Sequence, residues 1–581
     1  MPESARRTGG FEVVLVVLSI ISLFLEQHAA GRVGILVVTN TLDLTILILL
    51  IGEVVVDLRR ATYPMIYLRR NAAGVLFTAI FVALFLYTKY ELVVSLTGPG
   101  RPMPLTAVAA RTIFLILKVA TRFRRITAFM ESINAHPAQT VVLSFILVIL
   151  AGALLLMMPF TDRGGTGLGA LNAIFTATSA VCVTGLVVVD TATAFTPAGQ
   201  AVIMLLIQIG GLGIMVLSYF TLFVSGRSVS VEDKALISYM LSENDTRNIR
   251  RTLFSIIAIT FGVEAAGAVI LYRVLGEAVP SAGPRIFYAL FHSVSAFCNA
   301  GFALFSDSLE SFAANPLVLV TIALLIIAGG LGFGVSANLV NLGSFSVRKR
   351  FSRDPGAPPR LTLNSRVVLV MTVMLVVSGM LLLYATEHGN TLRPLPTGRQ
   401  YLNAFFQSVT LRTAGFNSIP FGSLTTTTLL IMIVYMFIGG AGGSTAGGVK
   451  VGSVAVIGAY IKAAATGSRT VLIGRHQVAT GLVLNAFVIV FFGVLSVVAG
   501  TLIMTVSESA PLENILFETV SAFGTAGLST GITGSLSSTG RVVIIVLMFL
   551  GRLGPLTVLS ATARRHRNLA VSFPEAQIAV G

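Results

Sequence analysis

The sequence predicts an all-α membrane protein: four tandem helix–pore-loop–helix repeats around one pore, preceded by about four N-terminal transmembrane helices. Two observations support this fold class. The chain of 581 residues is 55% hydrophobic and only 11% charged, whereas a soluble domain carries about 25% charged residues. In addition, short segments that end on glycine recur four times at almost constant intervals, and a fixed period marks repeated structural units.

The N-terminal region, residues 1–138, precedes the repeats. It contains four apolar runs at about 11–26, 33–56, 73–96 and 106–121, which we interpret as four membrane helices. The first run could belong to a signal peptide, but we expect a retained helix because further spans follow at once. Basic residues of the fourth run are spaced as in the last helix of a voltage sensor, although the positive-inside rule predicts most of them equally well. The function of this region stays open.

Each repeat has the same order of apolar segments. A long span comes first, a stretch of about a dozen residues follows, then the glycine loop, and a second long span closes the unit. Because a dozen residues are too few to cross a bilayer, we expect re-entrant half-helices. The predicted repeats are 139–246, 247–350, 361–466 and 477–567, the half-helices 169–180, 285–296, 400–409 and 512–522, and the second spans 201–224, 317–345, 427–461 and 541–562.

The basic residues indicate orientation. The chain has 40 Lys and Arg against 24 Asp and Glu, a formal net charge of +16. The densest basic blocks lie at 59–70, 122–125, 348–366 and 564–567. One topology, with cytoplasmic N- and C-termini, places all of these blocks inside, as the positive-inside rule requires. The charge therefore reports membrane topology, and we expect no nucleic-acid partner.

The four glycine loops resemble one another closely. They are Ser179–Gly185, Ser295–Gly301, Val409–Gly415 and Ser521–Gly527, and their glycines are 116, 114 and 112 residues apart. Four such loops can offer backbone carbonyls around one axis to a cation that must exchange its water shell for other oxygens. Glycine is expected because the required backbone conformations exclude a Cβ. The C-terminal ends of the half-helices add partial negative charge beneath.

We therefore predict that potassium binds at the backbone carbonyls of these loops, as the transported ion rather than as a cofactor; no cofactor is expected in this chain. The candidate ion-binding residues are the glycine of each loop and the two residues before it: Val183, Thr184 and Gly185; Asn299, Ala300 and Gly301; Thr413, Ala414 and Gly415; Thr525, Ala526 and Gly527.

Four pieces of the chain resemble one known family. The segments Val409–Phe416, Phe437–Lys450, Ser521–Gly531 and Gly551–Pro555 are similar to the membrane subunits of the Trk/Ktr/HKT superfamily of potassium transporters, with the Ktr branch nearest. The resemblance covers about 139–566. It implies a four-repeat potassium uptake pore in the bacterial cytoplasmic membrane, with Gly185, Gly301, Gly415 and Gly527 lining its selectivity filter.

The resemblance also implies features that the residues alone do not show. In the family, a serine in place of the first glycine goes with sodium preference, so Gly185 favours potassium. The family further implies a homodimer of pore chains within membrane lipid. It implies gating by a separate cytosolic ring of nucleotide-binding subunits as well.

The segment Gly439–Lys450 is predicted to gate the pore. It holds six glycines in twelve residues of an apolar span, where each glycine costs about 1 kcal/mol against alanine in a helix. Irregular backbone at membrane depth is tolerated where it lines a cavity, and the resemblance implies a gating loop beneath the filter. We expect Arg552 to face the pore there and to form a barrier with the loop; the alternative is that it snorkels to the interface. The candidate gate residues are Gly439, Gly440, Gly442, Gly443, Ser444, Thr445, Gly447, Gly448, Lys450 and Arg552.

A few isolated residues call for interpretation. Glu264 and Glu518 lie within apolar segments and could accept hydrogen bonds from loop backbone. Arg412, inside the third loop, is expected to pair with a carboxylate, for which Glu518 is a candidate. Cys182 and Cys298 occupy the same position relative to the loop glycine, and we expect small packing side chains rather than a disulfide.

Two other functions remain open at this point. A sodium-selective or sodium-coupled transporter of the same fold is the first, and a membrane sensor with a vestigial pore is the second; glycine in all four loops argues against the sensor. An enzyme is not expected, because the sequence shows no nucleophile–base pair or cofactor loop, and its six histidines share no metal-ligand spacing.

Overall fold

The computed structural model describes residues 137–165, 167–213, 249–351 and 360–562. These residues are mostly helical. The four predicted N-terminal helices lie outside the described residues, as do the second half of the first repeat's second span and most of the linker after 351. The overall helical prediction is confirmed for the part of the chain that the structure describes.

The same succession of helices occurs four times. The long first helices are α1 (Pro137–Leu156), α4 (Ile249–Val274), α8 (Leu363–Glu387) and α12 (Thr480–Ser507). The half-helices are α2 (Ala170–Val181), α5 (Ala282–Phe297), α9 (Thr397–Thr410) and α13 (Leu512–Gly524). The second helices are α3 (Pro197–Leu212), α6 (Pro316–Gly330) with α7 (Phe333–Phe351), α10 (Thr426–Phe437) with α11 (Val451–Ala465), and α14 (Ser538–Leu553) with α15 (Pro555–Thr562). The half-helices lie within three residues of the predicted bounds.

The surface of the long helices suits a lipid environment. Three of them, and the bent pair α6–α7 as a fourth span, are long and apolar enough to cross a membrane. Large apolar side chains point outward from these helices, for example Val269, Val370 and Leu484, each at least 61% exposed. In water such a surface would be unfavourable, whereas hydrocarbon accepts it. The chain is therefore an integral membrane protein.

The second spans are not continuous, which corrects the prediction. In the second repeat, α6 and α7 meet at an angle of 106°, and Gly332 between them has φ +87°. Gly213 ends α3 with φ +78°, and Gly554 separates α14 from α15 with φ +82°. Residues with a Cβ rarely adopt this conformation, so glycine permits each break. Glycines in an apolar span predict close helix packing through small residues, but Gly213, Gly332 and Gly554 break or end the helix instead.

Each second helix begins at a side-chain cap. Thr196, Asn315, Thr425 and Ser537 each accept a hydrogen bond from a backbone N–H of the first helical turn. Such caps satisfy donors that the helix leaves unpaired. In the third and fourth repeats the cap residue also donates to an acid that ends the first helix, Thr425 N to Glu387 Oε1 (3.0 Å) and Ser537 N to Glu508 Oε1 (3.2 Å). These acids therefore join the first and second helices.

A short hairpin lies in the connection between α11 and α12. Strands β1 (Leu472–Ile473) and β2 (His476–Gln477) pair antiparallel, and Gly474 has φ +60° at the first position of their two-residue turn. Turns of this kind need positive φ there. The prediction of helices alone missed this hairpin.

Candidate functional site

The four loop glycines and the carbonyls before them form a closed ring, called the glycine ring below. A Cβ built on Gly185 would lie 2.5 Å from the Ala300 carbonyl oxygen, and one on Gly301 would lie 2.8 Å from that of Ala414. The order continues from Gly415 to the Ala526 oxygen at 3.0 Å and closes from Gly527 to the Thr184 oxygen at 2.0 Å. Each loop thus faces the next in chain order, and a methyl group at any of the four glycines would meet a carbonyl.

The backbone of the four loops repeats one conformational pattern. The glycines have φ of +92°, +70°, +81° and +78° in chain order. The residue two places earlier also has positive φ in every loop: Val183 (+55°), Asn299 (+58°), Thr413 (+70°) and Thr525 (+52°). Non-glycine residues adopt this region rarely and at a cost, so the surrounding structure must impose it. The structure brings all twelve predicted ion-binding residues into these four adjacent loops; their role in binding stays a prediction.

Hydrogen bonds hold each loop to its half-helix. The backbone N–H of the residue before the glycine donates to a carbonyl near the helix end. The four bonds are Thr184 N to Ser179 O (2.8 Å), Ala300 N to Ser295 O (2.7 Å), Ala414 N to Thr410 O (2.9 Å) and Ala526 N to Ser521 O (2.8 Å). In the third loop the bond spans four residues instead of five. The short helix therefore determines where its loop lies.

A glycine near the C-terminal end of three second helices contacts a half-helix end. A Cβ on Gly210 would lie 2.0 Å from the Val181 carbonyl oxygen, and one on Gly551 would lie 1.8 Å from that of Phe523. Gly329 has the same relation to Phe297. These three glycines therefore allow close packing of the second helix against the half-helix. Cys298 is a free, buried thiol packed against Gly211.

The predicted gate segment forms a closed loop between α10 and α11, called the intramembrane loop below (residues 438–450). Its ends pair as an isolated bridge between Ile438 and Val449, and Gly439 N donates to Val449 O (2.9 Å). Gly443 and Gly448 have φ of +69° and +64°. Such a loop satisfies its backbone inside the protein, as a membrane interior requires.

The intramembrane loop is bonded to the second and fourth repeats. Ala441 N donates to Gly330 O (3.0 Å), and Gly448 N donates to Gly551 O (3.1 Å). Thr445 Oγ1 donates to the carbonyl of Phe297 at the end of a half-helix (3.2 Å).

The intramembrane loop also reaches the glycine ring. A Cβ on Gly447 would lie 2.2 Å from Thr525 Oγ1, so this glycine allows the loop to lie directly against the fourth ring loop.

Arg552 links this loop to the first repeat. Its guanidinium donates to the carbonyls of Thr445, in the intramembrane loop, and Gly210, in α3. Lys450 Nζ donates to Ala446 O within the same loop (2.6 Å). Neither cation forms an ion pair with an acid among residues 137–165, 167–213, 249–351 and 360–562. Two positive charges thus lie at the intramembrane loop, held by neutral carbonyls.

The predicted pairing of Arg412 with Glu518 is wrong. Arg412 is 4% exposed, and within the described part of the chain its Nε and Nη2 have no hydrogen-bond partner. Glu518 is bonded instead to Ser529 and Thr533 of its own repeat. The prediction relied on charge alone, and the two side chains belong to different repeats.

Glu264 accepts its hydrogen bonds from side chains rather than from loop backbone. Gln208 Nε2, from the first repeat, lies 3.1 Å from its Oε1, and the Cys298 thiol lies 3.8 Å away. Gln208 is a partner that was not predicted. A polar glutamine within an apolar helix was the sequence feature that could have predicted this hydrogen bond.

Hydrogen bonds between repeats join the connections that follow the ring. Ser306 Oγ donates to Asp190 (2.6 Å), and Asn417 Nδ2 donates to Glu310 (2.6 Å). Partial burial alone would raise the pKa of Asp190, but bonds from Ser306 and its own turn lower it below the usual 3.8. The pKa of Glu310 is raised above 4.5 by burial and by the nearby charge of Asp307. Sequence reasoning missed both acids.

The fold and the site define a class: a multi-span membrane protein in which loops after short half-helices bring together a ring of backbone carbonyls, the type of group that coordinates unhydrated cations. The family model described as TrkH, a cation transport protein, matches residues 106–568. The chain therefore belongs to the TrkH family of cation transport proteins.

Named relatives agree with this assignment. The chain is 40% identical over 444 residues to the Ktr system potassium uptake protein B of Vibrio alginolyticus, covering 76% of this chain and 94% of that protein. It is 36% identical to the protein of the same name from Bacillus subtilis, covering 77% and 97%. It is also 36% identical to the potassium/sodium uptake protein NtpJ of Enterococcus hirae, with the same coverage. The crystal structure of the potassium transporter TrkH from Vibrio parahaemolyticus shares the fold, with a TM-score of 0.60 at 19% identity, covering 84% and 97%.

Proposed function

We propose that this chain is the membrane subunit of a potassium uptake system and conducts potassium through the glycine ring. The observation that carries the proposal is the cyclic contact of four glycines with four carbonyls in chain order. Relatives named for potassium uptake support the choice of ion.

In this proposal the ring replaces the water shell of the ion. Carbonyl oxygens of Thr184, Ala300, Ala414 and Ala526 already lie beside the neighbouring loops, so little reorganisation is needed when the ion enters. The half-helices end just before the loops, and the partial negative charge of their C-terminal ends favours a cation beneath the ring. Neither effect adds a formal charge, so the ion is not held too tightly to leave.

The intramembrane loop serves as the gate in this proposal. It lies against Thr525 of the ring, and Arg552 and Lys450 place positive charge beside it. A potassium ion passing this point meets like charge in surroundings that screen it less than water does. Moving the loop would remove the obstruction and, through its Thr445 carbonyl, displace Arg552 as well.

The setting of the pore is also proposed. Basic blocks favour a topology with both termini in the cytoplasm, and the relatives from Vibrio alginolyticus and Bacillus subtilis favour a bacterial cytoplasmic membrane. The relatives' names describe a system of several components, which supports a separate regulatory subunit, here a cytosolic nucleotide-binding ring acting on a homodimer in lipid. Relatives that are transport proteins favour transport over an enzymatic or sensory role.

The test is growth of a potassium-uptake-deficient bacterium at low external potassium. We expect the wild-type chain, co-expressed with a nucleotide-binding partner, to restore growth, and Gly185→Ser to abolish it or to admit sodium. Gly422→Ser is the matched control, because a Cβ there meets nothing within 4 Å. Uptake of sodium rather than potassium by the wild type would favour the sodium alternative; no uptake of either ion would contradict the proposal.

A further inference from the structure

Side chains of the half-helices form hydrogen bonds to the loops of the glycine ring. In the first two repeats a serine six residues before the glycine bonds to the residue after it, Ser179 Oγ to Leu186 O (2.7 Å) and Ser295 Oγ to Phe302 O (2.8 Å). In the third repeat Phe416 N donates to Thr410 Oγ1 (2.9 Å). These inner bonds fix the backbone that directly follows the glycine.

The fourth repeat has the serine but lacks the bond. Ser521 stands six residues before Gly527, and its buried hydroxyl has no hydrogen-bond partner within the described ranges. The fourth loop therefore depends on another side chain to hold it.

Glu518 is that side chain. It lies nine residues before Gly527, is fully buried, and accepts hydrogen bonds from Thr533 Oγ1 (3.0 Å) and Ser529 Oγ, both in the chain just after the ring. The backbone of Thr530 donates to it as well. Of the residues that the structure describes, Glu518 alone links this half-helix to the following loop through a side chain.

The second repeat uses the same position in the same way. His292 lies nine residues before Gly301, is fully buried, and accepts through Nε2 from Leu304 N (3.2 Å). There, however, the Ser295 bond is also present, so the loop has two links. Glu518 is therefore more important for holding its loop than His292 is.

The chemistry of Glu518 suits this task. A buried carboxylate is unfavourable unless hydrogen-bonded, and hydrogen bonds to a charged acceptor are stronger than neutral ones. No cation pairs with it in the described part of the chain, and Arg412 does not approach it. Its donors all come from the segment that it holds.

We propose that Glu518 is the positioning residue that keeps the fourth loop in the shape required for ion selectivity. The inference rests on the proposed function, because it concerns the selectivity of the same ring. Releasing residues 529–533 frees Gly527, whose contact with the Thr184 carbonyl closes the ring. The ring then admits ions of other sizes.

The experiment compares potassium and sodium flux into vesicles reconstituted with the purified full-length protein and its partner ring. We expect Glu518→Ala to lower the potassium-to-sodium flux ratio about tenfold, the effect of losing one charge-assisted hydrogen bond. Glu518→Gln keeps one acceptor oxygen and should recover part of the ratio. Glu513→Gln, which changes an exposed acid on the same half-helix, is the control and should match the wild type.

Folding is checked by melting temperature and gel filtration. If Glu518→Ala does not fold, Thr533→Val removes a donor without altering the half-helix and should also lower the ratio. An unchanged ratio in folded Glu518→Ala or Thr533→Val, with a potassium-conducting wild type, would overturn this inference alone. A wild type that conducts no potassium would overturn the proposed function and this inference with it.

Discussion

Gly527 has the least room for a side chain of the four ring glycines. Its φ is +78°, and a Cβ there would lie 2.0 Å from the Thr184 carbonyl oxygen. An alanine must adopt left-handed backbone, at about 1–2 kcal/mol, and must also push the first loop away. Conformation and space therefore both require glycine here.

We expect Gly527→Ala to abolish potassium uptake and to lower the melting temperature of the purified protein. Gly467→Ala separates the two requirements, because Gly467 has φ +65° but no atom within 4 Å of its Cβ position. Gly467→Ala should lower the melting temperature only through its strained backbone conformation, and it should transport potassium normally. An equal loss of potassium uptake in both variants would show that the close contact of Gly527 with the Thr184 carbonyl is not required.

Single buried charges were the least predictable residues. A buried arginine and a buried glutamate in neighbouring loops suggest an ion pair from sequence, yet Glu518 is bonded by hydroxyls a few residues downstream. Such partners depend on where a loop returns after leaving the ring, which no local pattern encodes. Glu387, which accepts from Thr425 and Thr428, escaped notice for the same reason.

At the scale of elements, the intramembrane loop distinguishes the third repeat from the second and the fourth. It replaces the simple glycine break by thirteen residues and bonds to the second and fourth repeats, while Arg552 joins it to the first. Any displacement of the loop therefore breaks contacts with several repeats at once.

The proposed gate predicts that Arg552→Gln increases potassium flux roughly tenfold when the regulatory partner does not stimulate, because a positive charge and two hydrogen bonds are removed from beside the loop. Flux into vesicles without nucleotide measures this directly. Lys462→Gln, an exposed cation on α11, should leave the flux unchanged. Flux equal to the wild type in Arg552→Gln would contradict the barrier.

Element positions were largely predictable, because length and composition separate a dozen-residue half-helix from a full span. The breaks in the second spans were not, since a glycine in an apolar run suits close packing and a helix break equally. Gly210 and the equivalent Gly329 pack closely against a half-helix. Gly332, only three residues after Gly329, breaks the helix instead. Three-dimensional contacts decide between the two.

At the scale of the whole molecule, hydrogen bonds connect neighbouring repeats beyond the ring. Asp190 of the first repeat accepts from Ser306 of the second, and Asn417 of the third donates to Glu310 of the second. Four repeats in one chain need not be identical, so each boundary can use a different pair.

We expect Asp190→Asn to lower the melting temperature at pH 7 by roughly 1–2 °C, as loss of one partly exposed hydrogen bond would. Since the folded-state pKa of Asp190 is lowered, the stability it contributes is present above its unfolded pKa and is lost as pH falls through the folded value, below 3.8. The difference between variant and wild type should therefore disappear in that acidic range.

Glu310→Gln is the contrasting variant. The raised pKa of Glu310 means that its contribution is present below about 4.5 and is lost as pH rises. Its removal at pH 7 should leave the melting temperature unchanged or raise it. A decrease in melting temperature at pH 7 for both variants would contradict the opposite pKa shifts of Asp190 and Glu310.

The contact that closes the ring joins Thr184 to Gly527, 343 residues apart in the chain. Because synthesis proceeds from the N-terminus, a ribosome must insert the last repeat before the first one gains this neighbour. A growing or prematurely terminated chain thus has three loops at most and no complete coordination circle. An unfinished copy therefore cannot form the ring through which we propose that ions pass.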